Sequence, residues 1–224
     1  RAAVEAAANL PISAIQTVDQ MIERRAAFLA EYQDEAWADS FRATIDNVRT
    51  AETKITGTAG PLTEAATKGL FKLMSYKDEY EVARLHSQTG FIEGLKDRFD
   101  GDITIRHHLA PPMLSGAKDA RGRPIKRSFG PWMQIAFRGL SRMKRLRGAP
   151  LDPFGYTEER RMERALIREY RTVLDTLTAG LTASNTEEAA RIAGMVMDIR
   201  GFGPVKAEAA ARVRAQITES LRAF

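Results

Sequence analysis

The chain of 224 residues contains no cysteine. That excludes a disulfide framework, thiolate zinc sites and any iron–sulfur cluster held by this chain's own thiols. Histidine is scarce, and His107 and His108 are adjacent. On a strand neighbouring side chains point to opposite faces, so the two cannot ligate one metal without distortion. A structural or surface role is expected of them. Long apolar runs are missing as well: none approaches the roughly 18 residues that span a bilayer. The start also lacks the charged-then-apolar pattern of a signal peptide. A soluble, cytoplasmic chain is expected, with no membrane partner. No His-Glu-x-x-His pattern, Gly-x-Ser-x-Gly elbow or P-loop occurs, which leaves hydrolase and NTPase readings without positive support. The first residue is Arg1 and not methionine, which suggests a piece cut from a longer polypeptide or a processed chain.

What is present is the composition of a globular protein: 44% hydrophobic and 28% charged residues, far from the signature of disorder. The net charge of +5 is unevenly spread. Between Lys118 and Arg147 lie ten basic residues opposed only by Asp119, a local charge of +9, while the remainder holds 24 basic and 28 acidic residues. The segment reads either as a solvated loop and helix face or as a site for an anion or acidic partner. Its basic residues alternate with Phe129, Trp132, Ile135, Phe137, Leu140 and Met143, so a basic strip carrying Arg138, Arg142 and Arg145 would be mounted on a helix anchored in the core. Coenzyme A phosphates, an acidic protein such as a ferredoxin, and nucleic acid all match the field. Nucleic acid is the weakest, because no recognition motif accompanies the charge.

Periodicity predicts a mainly helical protein. Ile15, Val18, Ile22 and Leu29, then Phe41, Ile45 and Val48, predict an antiparallel pair over 12–53 that turns near Gln33–Trp37. Pro61 opens a helix expected over Leu62–Leu85, and Phe91–Phe99 reads as a shorter one. Asp102–Leu109 is the one clear strand candidate, part of a strand or hairpin element around residues 102–128. Further helices are predicted over Pro131–Arg147, after the cap Thr157, over Thr186–Ile199 behind a Ser184/Glu187 capping box, and from Val205 onward. The breakers between Gly148 and Gly155 imply an irregular link. Residues 1–55 read as a helical connector, and 61–224 as one helical domain with its basic segment at 118–147.

Two further clusters were candidates for chemistry. Gly201-Phe202-Gly203-Pro204-Val205-Lys206 is either a plain turn between helices or a glycine-rich helix start whose amides and Lys206 hold a phosphate. It lacks the third glycine and the preceding strand of a dinucleotide site. Asp78, Glu79 and Glu81 could act as acid/base groups, but on a helix they spread around the cylinder, and Arg84 can pair with Glu81. An exposed acidic turn is expected there.

Several stretches together resemble the C-terminal region of fused indolepyruvate ferredoxin oxidoreductase-type enzymes: Leu73 to Leu85 (LMSYKDEYEVARL), His108 to Pro112 (HLAPP), Phe129 to Met133 (FGPWM), Leu146 to Tyr156 (LRGAPLDPFGY), Glu159 to Arg164 (ERRMER) and Ile199 to Gly203 (IRGFG). The resemblance runs from about residue 70 to 206, and residues 12–55 are consistent with it. It implies a parent that decarboxylates an aryl 2-oxoacid with thiamine diphosphate, forms an acyl-CoA, and passes electrons through iron–sulfur clusters to ferredoxin. This chain has neither cluster cysteines nor the Gly-Asp-Gly diphosphate motif, since Gly101-Asp102 is followed by Ile103. The resemblance therefore implies a non-catalytic accessory domain, packed on the catalytic regions of the same polypeptide or within a homo-oligomer. The alternative is a docking module for coenzyme A or ferredoxin through Arg138, Arg142, Arg145 and Lys206.

Overall fold

The computed structural model describes residues 17–88, 94, 104–109, 125 and 127–224. Among them are eight α-helices, two short 3-10 turns and one two-stranded antiparallel sheet, a mainly helical protein with a small β element as the sequence predicts. They fall into two compact units, one formed by the chain up to Tyr76 and from Gly155, the other by Lys77–Phe154. The expected division near residues 55–61 lies inside the first unit, because the helices on either side of it share one core.

In the first unit, α1 (Val18–Tyr32) begins at a capping box in which Thr17 and Gln20 exchange side-chain bonds with each other's backbone N–H. Asp34 then caps α2 (Glu35–Thr56) by accepting from Trp37 N at 2.8 Å, and Gly57 ends it at φ +83°. The next helix, α3 (Pro61–Met74), has a glycine before it and no cap of its own. Its first turn is served by Glu52 of α2, fully buried, whose carboxylate accepts from Gly60 N, Leu62 N and Thr63 N at 2.9 Å and from Thr63 Oγ1 at 2.5 Å. A negative group here also meets the positive end of the helix dipole. Helices α6 (Glu158–Ala179), α7 (Thr186–Gly194) and α8 (Pro204–Ala223) complete the unit. Leu29, Phe41, Ile45, Leu70, Leu174 and Ile192 are at the centre of its core. Gly69 of α3 is the point of closest approach: a methyl there would collide with Tyr170 of α6 and with Val196.

The expected helix over Leu62–Leu85 is two helices. Its first part stops at Met74, whose carbonyl accepts from Trp37 Nε1 (3.2 Å), and Tyr32 OH holds Tyr76 O just beyond the helix (2.7 Å). The second, α4 (Glu79–Ser87), starts afresh at Asp78, which accepts from Glu81 N at 2.8 Å. The capping box expected at Ser184/Glu187 does not form either. Asn185 precedes α7, and its side chain ties the preceding turn, accepting from Thr182 N and donating to Gly180 O. Thr157 does cap α6, accepting from Arg160 N at 3.3 Å.

In the second unit, α4 packs against α5 (Met133–Arg142), and a 3-10 turn (Met143–Leu146) follows. Strand β1 (His107–Leu109) pairs antiparallel with β2 (Arg127–Phe129), His107 opposite Phe129. This supplies the partner that a lone strand requires. The small core is Ala83, Met133 and Phe137, flanked by Val82, Leu109, Phe129 and Leu140. The helix expected over Phe91–Phe99, apart from the helical Gly94, and residues 110–124 lie outside the described residues.

Candidate docking surface

Five of the charged side chains singled out in the sequence, Asp78, Glu81, Arg84, Arg147 and Lys206, turn inward and find partners. Asp78 is buried and receives Arg147 through two bonds, Nε to Oδ2 at 2.5 Å and Nη2 to Oδ1 at 2.9 Å. The same guanidinium lies 5.6 Å from the centre of the Tyr80 ring, and Tyr80 OH donates to Asp152 Oδ1 at 2.9 Å. Burial and the Asp152 carboxylate push the Tyr80 hydroxyl well above its usual pKa, so it stays protonated and donating. Asp152 also accepts from Gly148 N and Phe154 N, which shapes the irregular link after Arg147. Glu81 is buried too, held by Arg84 at 2.8 and 2.9 Å. The exposed acidic turn expected at 78–81 is thus a buried, ion-paired helix start. The reason is non-local: Arg147 lies 69 residues away.

His107 and His108 divide as strand geometry requires, the first buried and the second exposed. His107, His86 and Phe137 form a three-ring cluster with centroids 5.1–5.2 Å apart, His86 stacked on Phe137 and His107 edge-on to both. Gln134 Nε2 lies 3.0 Å from His107 Nε2. Burial lowers both imidazole pKa values, and at His86 the neighbouring His107 and Lys77 lower it further. Asp78, Glu81 and His108 therefore do not converge on a common reacting centre.

The residues expected to bind an anion separate into two groups. Lys206, at the start of α8, is held by both oxygens of Glu163 at 2.6 and 2.7 Å and is mostly buried. Gly201 (φ +100°) and Gly203 (φ +54°) shape the turn before it. The adjacent open hollow of about 530 Å³ is lined by Asp198 and Glu208 as well as Arg200 and Arg212, which gives it no preference for anions. Arg138, Arg142 and Arg145, by contrast, are exposed in the other unit.

The anchoring expected for their helix is only partly realised. Met133, Phe137 and Ser141 recur at four-residue steps and form the single buried stripe of α5. At 3.6 residues per turn, Trp132, Ile135, Gly139 and Met143 then fall on the opposite side. Trp132 is 59% exposed, Ile135 72% and Met143 41%. Arg138 and Arg142 run along one edge of this apolar strip, and Arg145 stands in the 3-10 turn beyond it. Trp132 rests edge-on against Phe129, with ring centres 6.0 Å apart. The result is an exposed apolar strip bordered by arginines.

Among the described residues no group of three or more histidine, aspartate or glutamate side chains gathers in a metal-binding arrangement, and no helix is long and apolar enough to cross a membrane. Iron–sulfur ligation through thiolates does not fit a chain without cysteine.

Fold and surface together define a mainly helical protein in which, among the described residues, Asp78, Glu81 and Glu163 are paired internally and Arg138, Arg142 and Arg145 lie beside exposed apolar side chains. Residues 18–219 match a family of unknown function (DUF6537), and the chain belongs to that family. No curated protein matches it, and no solved structure does.

Proposed function

We propose that this chain is a non-catalytic accessory domain, serving structure and assembly, of a larger cytoplasmic enzyme resembling indolepyruvate ferredoxin oxidoreductase. The observation that carries the reading is the closure of its buried carboxylates. Asp78 is taken by Arg147, Glu81 by Arg84, Glu163 by Lys206, and Glu52 by backbone amides. A catalytic acid or base must present an oxygen to substrate, whereas these oxygens are committed to holding helices in place. The parent of such a domain would carry thiamine diphosphate and iron–sulfur clusters in its other regions, and those regions, or a second copy, are the partners this reading assigns.

The test is removal of residues 18–219 from the full-length polypeptide, with assembly followed by sedimentation and activity by arylpyruvate-dependent ferredoxin reduction. Loss of assembly together with turnover is expected, and an unchanged particle with unchanged turnover overturns the reading. A second reading is favoured by Arg138, Arg142 and Arg145, which stand exposed without ion-pair partners among the described residues. In it the basic face docks coenzyme A phosphates or an acidic ferredoxin. Titration of the chain with each at low and raised salt separates these, because an electrostatic contact weakens as salt rises.

A further inference from the structure

Gly139 occupies the interior of α5, faces solvent, and has open space where a side chain would stand: an added Cβ meets nothing within 4 Å. Glycine inside a helix lowers stability relative to alanine because it has more backbone freedom to lose. At Gly69 the missing side chain is explained by Tyr170 and Val196 pressing against the backbone. At Gly139 nothing in the described chain does so. The position is a notch, with Ile135 one turn before it and Met143 one turn after it on the same side of the helix.

The described arginines are of two kinds, and those beside the notch belong with Arg24, Arg161, Arg168 and Arg212, which hold no carboxylate among the described residues. Arg42, Arg49, Arg84, Arg147, Arg191, Arg214 and Arg222 each hold a carboxylate. Arg138, Arg142 and Arg145 hold none among the described residues, while three large apolar side chains stand exposed next to them. Tryptophan, methionine and arginine around a small apolar centre is the composition of a protein interface.

We infer that this face of α5 docks an acidic amphipathic helix of a partner protein. The partner's apolar ridge seats in the notch at Gly139, where the missing side chain lets two helix axes approach closely. Its carboxylates take Arg138, Arg142 and Arg145, whose planar guanidiniums bind carboxylates in two-pronged fashion. Each of the three features is used by such a partner. A free phosphate ligand would leave Trp132 and Ile135 in water, an anionic membrane would gain nothing from the notch, and a nucleic acid would use the charge alone. The inference rests on the docking reading and is independent of the assembly role.

The probe is a labelled peptide of about 18 residues, long enough to be helical, with leucines at i, i+3, i+4 and i+7 and glutamates along one edge. Controls are a scrambled peptide of the same composition and one with lysine for glutamate. The protein is also titrated with phosphatidylcholine–phosphatidylglycerol vesicles, a single-stranded RNA and coenzyme A. The ordered acidic peptide is expected to bind roughly tenfold or more tightly than either control. Arg138→Glu/Arg142→Glu and Ile135→Ala should each weaken it by a similar factor. Gly139→Ala separates docking from folding: it should raise the unfolding temperature and still weaken the peptide several-fold. Equal binding of ordered and scrambled peptides, indifference to Gly139→Ala, or tighter binding of vesicles or RNA overturns the inference. Binding of coenzyme A without the peptide also overturns it, leaving the phosphate form of the docking reading in place. Loss of assembly on deletion would be unaffected by any of these results.

Discussion

Glu52 has no exposed surface, and its carboxylate accepts from three backbone amides and one hydroxyl. An acceptor-only group is what four convergent donors require. Glu52→Ala should therefore cost about 2–4 kcal/mol of stability by urea unfolding, as the first turn of α3 loses its partners. Glu52→Gln keeps size and shape but turns an NH2 group against N–H donors, and should cost nearly as much. If glutamine proves almost neutral, the capping role is wrong. Asp78 poses the reverse question, since its partner is also charged and also buried. Asp78→Ala removes the buried carboxylate that Arg147 holds and should cost about 3–5 kcal/mol. The double change Asp78→Leu/Arg147→Met removes both charges and should cost markedly less than the sum of the single changes. Additive losses would show that the pair is not coupled.

At the level of elements, the approach of α3, α6 and the 3-10 turn Met195–Asp198 depends on the bare backbone of Gly69. Gly69→Ala should destabilise by about 1–3 kcal/mol through overpacking, despite alanine's better helix propensity. A thermal melt that rises would refute the close contact. Helices of this kind explain what the sequence could disclose. The α1–α2 pair and α6 are long, amphipathic and locally capped by Thr17, Asp34 and Thr157, so period and caps point the same way. The break at Ser75–Asp78 was hidden because the side chains that hold it, Tyr32 and Trp37, lie about forty residues earlier. The candidate surface was half legible. The arginines stand out by charge, but alternation with apolar residues does not tell which side a short helix buries, so Trp132, Ile135 and Met143 were assigned to the core. Lys206 was misplaced for the same reason as Asp78: its partner, Glu163, is distant in sequence. The glycine interrupting α5 was the signal that could have marked the exposed face.

For the whole molecule, the two units differ in how their cores are made. The first buries a large aliphatic and aromatic cluster, whereas the apolar cluster of the second, among the described residues, is Ala83, Met133 and Phe137 and leans on the His86–His107–Phe137 rings. Apolar packing is indifferent to pH, but these imidazoles are not. Both have pKa values lowered from 6.5 by burial, and Lys77 and the second imidazole add to the effect at His86. The folded state therefore binds fewer protons than the unfolded state. The stabilisation is fully present above about pH 6.5 and declines as pH falls below it towards the depressed folded values. Ordinary carboxylates titrate below about pH 5, so the upper part of this window belongs to histidine. Between pH 7 and 5.5 the amides of α4 and α5 should lose hydrogen-exchange protection while those of α3 and α6 keep theirs. His86→Phe retains a ring to stack on Phe137 but cannot be protonated, so it should flatten that dependence. If α3 and α6 lose protection in parallel, or the pH dependence survives His86→Phe undiminished, the imidazole cluster is not what makes the smaller unit acid-sensitive.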